Sequence, residues 1–167
     1  MRVLATGLML ALAFTTSTSF AQQGAAPNPA ASRTMVSAAD VQAMIAKAKS
    51  ERKEGQALLA QSMIQLAPYN VSLEYRSAVA NAAVHETEAE LFYVIDGSAT
   101  LVTGGKLTNE TRTNAANLSG KGIDGGMSRK VAKGDFIMVP EGVPHWFSAI
   151  DGTVVLMSLH LPHAPQK

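Results

Sequence analysis

The sequence predicts an all-β domain, closed as a barrel or jelly roll and preceded by a single helix. Three observations lead there. From residue 56 onward the hydrophobic period is 2 rather than 3.6, as strands require. Short runs of β-branched and aromatic residues alternate with Gly-, Asn- and Asp-containing turns up to Leu161. The runs are short and regularly spaced, a pattern that closes on itself more readily than it spreads into an open sheet. With 167 residues, 47% of them hydrophobic, the chain has room for one such domain and hardly for a second.

Taken in order, the first segment reads as a targeting signal. Arg2 is followed by an uncharged apolar run from Val3 to Phe14 and then by small and polar residues, with Ser19 and Ala21 at the positions a signal peptidase examines. Cleavage is expected after Ala21, giving a mature chain that starts at Gln22 and is periplasmic or secreted. The apolar run falls short of the roughly 20 residues a membrane-spanning helix needs, so no membrane anchor is expected. Residues 22–36, containing Pro, Ala and Gly without periodicity, read as a flexible linker. Residues 37–55 read as the helix. Ser37 and Asp40 form a capping-box pair, Val41, Met44, Ile45 and Ala48 make one apolar stripe, and Gly55 is the stop. The barrel should occupy 56–162, with strands near 57–66, 71–77, 79–85, 90–95, 98–103, 135–139, 145–149 and 153–161. Asp96-Gly97 and Gly104-Gly105 have the composition of hairpin turns. Residues 106–133, polar and Gly-rich, read as a long excursion carrying one or two edge strands.

Composition removes several classes of function. A net charge of +1 falls to zero once Arg2 leaves with the signal, and no Lys/Arg cluster stands out, so nucleic acid is not an expected partner. The absence of cysteine excludes disulfides, thiolate-bound zinc, iron–sulfur clusters and thiol catalysis. Any metal has to be held by imidazole, carboxylate or water. A small-molecule ligand or substrate remains the expected partner.

Two segments place polar groups on apolar strand faces. In AAVHETEAELFYVIDG, Glu90 shares a face with Phe92 and Val94, and His85 lies beside it across a turn. A carboxylate directed into an apolar barrel costs several kcal/mol unless it meets a cation, a donor or water. In GDFIMVPEGVPHWFSA, Pro140 and Gly142 turn the chain, and His145 opens a strand on the face of Phe147 and Ala149. His160 lies on the face of Val154, Leu156 and Ser158. It is read as an ordinary strand-end histidine, with a place as a candidate fourth ligand as the alternative. Phe92, Phe147 and Met138 are expected to line the barrel. Tyr75 and Arg76 point to opposite faces, and Arg76 is read as a surface residue that has a substrate carboxylate as its alternative partner. His163, beyond Pro162, is given no role.

The spacing Gly-x5-Pro-x-Gly-x2-His at Gly134, Pro140, Gly142 and His145 resembles the second cupin motif. His-x4-Glu-x6-Gly at His85, Glu90 and Gly97 is similar to the later part of the first. The resemblance covers roughly residues 70–161 and implies the cupin double-stranded β-helix, a jelly-roll barrel, together with a homodimer. The first motif normally reads His-x-His, and here its earlier position is Ala83. The resemblance therefore carries over three metal ligands, His85, Glu90 and His145. Two imidazoles and a carboxylate suit a divalent metal ion, whether zinc, nickel, manganese or iron. Acquisition outside the cytoplasm favours the metals high in the intrinsic affinity order. The expected function is metal-dependent action on a small organic molecule, of dioxygenase, lyase or isomerase type. The alternative is a metal-free barrel that binds a small ligand without catalysis.

Overall fold

The computed structural model describes residues 33–163. The leader at 1–21 and nearly all of the linker lie outside the described residues. The first element is a helix, α1 (Ala38–Glu51), and its start is set by the residues the sequence singles out. Asp40 N–H donates to Ser37 Oγ at 3.1 Å, and Ser37 N–H donates to the Asp40 carboxylate at 3.0 Å, completing the capping box. Removing this cap by Ser37→Ala should destabilise the domain by about 1 kcal/mol, read from chemical denaturation. An unchanged midpoint would show that α1 is held by packing alone.

Eleven strands follow: β1 (Leu58–Leu66), β2 (Tyr69–Arg76), β3 (Ala82–His85), β4 (Glu88–Thr103), β5 (Lys106–Thr108), β6 (Thr111–Arg112), β7 (Asn117–Gly120), β8 (Gly122–Asp124), β9 (Met127–Ala132), β10 (Phe136–Val139) and β11 (His145–Pro162). The frame is the antiparallel pair of the two longest, β4 and β11, which run side by side from His145↔Thr103 to Pro162↔Glu88. Their register slips at Phe147/Ala149, at Ile150/Val154 and at Val155/Leu156, and extra residues at such bulges bend a sheet. On one side of the bend the order is β1-β2-β11-β4-β10, and on the other β6-β7-β3-β11-β4-β9. The two halves enclose Phe92, Val94, Ala99, Leu101, Val131, Val139, Phe147, Val154 and Leu156. This is the jelly-roll barrel that the strand pattern predicts.

The half that carries β1 and β2 is covered on both faces. Its outer face presents Val71, Leu73, Tyr75 and Val155, which pack with Met63 and Ala48, and α1 adds Val41, Met44 and Ile45. Ala48 of the helix stripe is thus fully buried against the barrel wall, and Val41, Met44 and Ile45 are half-buried there. Alternation along β11 produces the division, since Val154, Leu156 and Ser158 turn inward while Val155, Met157 and Leu159 turn toward α1.

Four expectations require correction. Asp96-Gly97 is not a hairpin but part of the continuous strand β4. Gly97 has φ +79°, and a Cβ there would lie 2.0 Å from the Thr153 carbonyl oxygen, so glycine serves the bend and its close approach to β11. Gly104-Gly105 opens the excursion rather than a hairpin, because β5 pairs with β8 and not with β4. The segment 106–133 carries five short strands, of which β7 pairs with β3 and β9 with β4, far beyond an edge ornament. Met138 points outward and is 52% exposed. On β10 both faces are apolar, and it is Ile137 and Val139 that pack inward, a choice that alternation alone cannot make.

Candidate metal centre

Glu90 is the organising group. It sits on β4 opposite His160 of β11, with Ser158 two residues back on the same inner face, and it is 3% exposed. Its Oε1 accepts from Ser158 Oγ at 2.5 Å and lies 3.4 Å from His160 Nε2. Its Oε2 is 3.1 Å from His145 Nε2 and 3.3 Å from His85 Nε2. No donor is aligned on that oxygen, which is a buried acceptor without a hydrogen bond. Burial pushes the Glu90 carboxyl up, but His145, His85 and Ser158 outweigh it and hold the group well below the usual carboxylate range. Burial likewise pushes His85 down, whereas its contacts with Glu90 and Asn117 and the charges of Glu90 and Glu88 raise it overall.

The local fold explains how these side chains meet. The turn between β3 and β4 brings His85 back over Glu90, and the Pro140–Gly142 turn, closed by Val143 N–H to the Pro140 carbonyl, delivers His145 to the same end of the barrel. The Gly142 N–H donates to the His85 carbonyl at 2.7 Å and ties the two segments together. The rings of His85 and His145 lie 5.3 Å apart, and Phe92, 5.8 Å from His145, supplies the apolar floor. The Ala83 methyl stands in register with His145, where the motif would place another imidazole.

All three residues of the expected set, His85, Glu90 and His145, come together, with one donor atom from each within 4.8 Å of the others. His160 also arrives. Its ring is 4.7 Å from that of His85, and its Nδ1 meets the Glu88 carboxylate at 3.0 Å. It forms a second, overlapping group with His85 and Glu88, while its Nε2 also lies 3.4 Å from Glu90 Oε1. His163 pairs instead with Glu141 at 2.9 Å on the exposed surface.

The donor set fits a divalent cation. Imidazole nitrogens and a carboxylate oxygen converge, and the unpartnered Glu90 Oε2 faces two of the nitrogens. A cation would satisfy that oxygen and offset the desolvation of the cluster.

Arg76 departs from its expected place. It lies inside the barrel, bound to Glu74 at 2.7 Å and stacked 4.7 Å over the Phe147 ring, with both charged side chains 11% exposed. On β2 it pairs with Val154, whereas Asn70, six residues back, pairs with His160. Its charge is matched by Glu74 and its guanidinium lies against Phe147, so it is not the surface residue the sequence suggests. Strand alternation already places Ser158 and Glu88 on the faces of His160 and Glu90, so these two were accessible to sequence reasoning. Asn117, which contacts His85 Nδ1 at 2.6 Å, was not, because it is one polar residue in a polar excursion.

A sequence profile described as Cupin matches residues 56–166. No curated protein matches the chain. Among solved structures, a cupin superfamily protein from Desulfitobacterium hafniense DCB-2 is 16% identical, with 67% of this chain and 83% of that one covered at a TM-score of 0.47. KdgF from Halomonas sp. is 13% identical, with 68% and 86% covered at a TM-score of 0.48.

Proposed function

The chain belongs to the cupin family, and from that premise we propose that it holds one divalent metal ion on His85, Glu90 and His145 and acts on a small organic molecule. The observation that carries the proposal is the buried, unpartnered Glu90 Oε2 facing two imidazole nitrogens. His160, joined to Glu88, is the candidate for the position left open by Ala83. When bound, a divalent metal supplies a Lewis acid that polarises a carbonyl or carboxylate oxygen. The protein's own groups do the rest. Ser158 Oγ holds one Glu90 oxygen so that the other stays turned toward His85 and His145. Phe92 and Phe147, edge to face at 5.3 Å, fill the barrel behind the cluster and keep water from that side. Burial strengthens each charge interaction there by lowering the local dielectric.

Protein purified without added metal and then dialysed against zinc, manganese, nickel or iron(II) should retain about one equivalent per chain of at least one of them by elemental analysis. Refusal of all four would leave a metal-free barrel binding a small ligand as the better account. Export is part of the same proposal and rests on the leader composition. Intact mass of the protein from the periplasm or medium should begin at Gln22, and a mass retaining Met1–Ala21 would sink it.

A further inference from the structure

The excursion between β4 and β9 returns one side chain to the candidate site, and its orientation can be deduced from groups whose hydrogen-bonding roles are fixed. The Ala116 backbone N–H can only donate, and it donates to Asn114 Oδ1 at 2.9 Å. That oxygen also receives the Asn117 Nδ2 amide at 3.0 Å. With its NH2 turned to Asn114, Asn117 presents Oδ1 to His85 Nδ1 at 2.6 Å. An amide oxygen cannot donate, so His85 Nδ1 carries the proton. In the neutral ring the lone pair then lies on Nε2, the nitrogen 3.3 Å from Glu90 Oε2. Register holds the arrangement, since His85 pairs with Asn117 across β3 and β7 and Glu86 N–H bonds the Ala116 carbonyl at 2.8 Å. Arg112 clamps the turn, donating to both Glu86 oxygens and to the carbonyls of Asn114 and Ala115.

We infer that Asn117 is a positioning residue that fixes the Nδ1–H tautomer and ring orientation of His85, so that Nε2 is ready to ligate a metal. The inference rests on the metal reading above for its purpose, but not for the tautomer itself. His160 follows the same rule, because its Nδ1 faces the carboxylate of Glu88 and its Nε2 faces Glu90. His145 has its Nδ1 toward the Val143 carbonyl at 3.4 Å. All three rings therefore turn the same nitrogen inward, an arrangement with no attraction for a carboxylate unless a proton or a cation lies between.

The test reads the ring nitrogens of His85 by long-range 15N–1H correlation in metal-free protein, at a pH high enough that the ring is neutral, and zinc affinity by competition with a chromophoric chelator. Wild type should show His85 as the Nδ1–H tautomer. Asn117→Ala should lose that signature and weaken zinc about 10–100-fold. Asn117→Asp, which keeps an acceptor at the same place, should restore both. Asn114→Ala leaves Asn117 in position but frees its amide to turn, and should shift both readouts in the direction of Asn117→Ala even if that variant fails to fold. An Nε2–H tautomer in wild type, or Asn117→Ala with unchanged spectrum and affinity, would overturn the inference. A wild type that refuses zinc would overturn the metal reading, while the same spectrum still upholds or overturns the role of Asn117.

Discussion

His145→Ala should empty the metal site and lower the melting temperature of zinc-loaded protein by about 15 °C. A ligand present at a thousand times its dissociation constant stabilises the folded state by about 4 kcal/mol. For a domain of this size each kcal/mol is worth roughly 4 °C. His145 is 5% exposed and its Nε2 lies 3.1 Å from Glu90, so its loss removes a donor from the centre of the cluster. In excess chelator the two proteins should differ much less, which separates lost metal from lost packing. His163→Ala is the control. Its ring pairs with Glu141 on the exposed surface, and neither metal content nor melting should move. Wild-type metal content in His145→Ala would refute the site.

Gly97→Ala should be the most damaging methyl that can be added to the barrel. The residue has φ +79°, and the added carbon would stand 2.0 Å from the Thr153 carbonyl oxygen and 3.1 Å from Val154 Cα, both backbone. A strained backbone costs ~1–3 kcal/mol and overpacking a similar amount, so a loss of about 4 kcal/mol is expected in denaturant unfolding. Gly134→Ala makes the comparison. Its φ is +96° but nothing lies within 4 Å of the new carbon, so only the backbone strain remains. Equal losses in the two variants would show that the contact with β11 is unimportant.

These two glycines illustrate what the sequence makes legible. Asp-Gly announces a positive φ, and Gly97 has one, but the dipeptide does not say whether the chain reverses or merely bends. That depends on β11, more than 50 residues away, whose bulges accept the bend. The capping box was legible because its partners are three residues apart and the chemistry is local. His85, Glu90 and His145 were legible because polar residues interrupt apolar alternation at a spacing that resembles a known motif. Met138 was misplaced because β10 is apolar on both faces and gives alternation nothing to sort. Arg76 was misread because its partner Glu74 is a strand neighbour on the same face, and a buried ion pair has the sequence appearance of two surface charges. Asn117 carried no signal at all, since its value lies in a hydrogen bond across a separation of 32 residues.

The β4–β11 pairing also determines when during folding the site comes into existence. Ser158 meets Glu90 across 68 residues and His160 meets Glu88 across 72, so neither contact exists until the two longest strands have found each other. Loop closure over such distances comes before any reward from the contacts it allows, and topologies of this kind fold in milliseconds to seconds rather than microseconds. A slip of one residue in the pairing would turn Glu90 to the outer face and leave His160 without it. A nascent chain thus has separate histidines but no cluster. A cation bound on these residues would be selected by correctly registered strands, and its retention would report that register was reached.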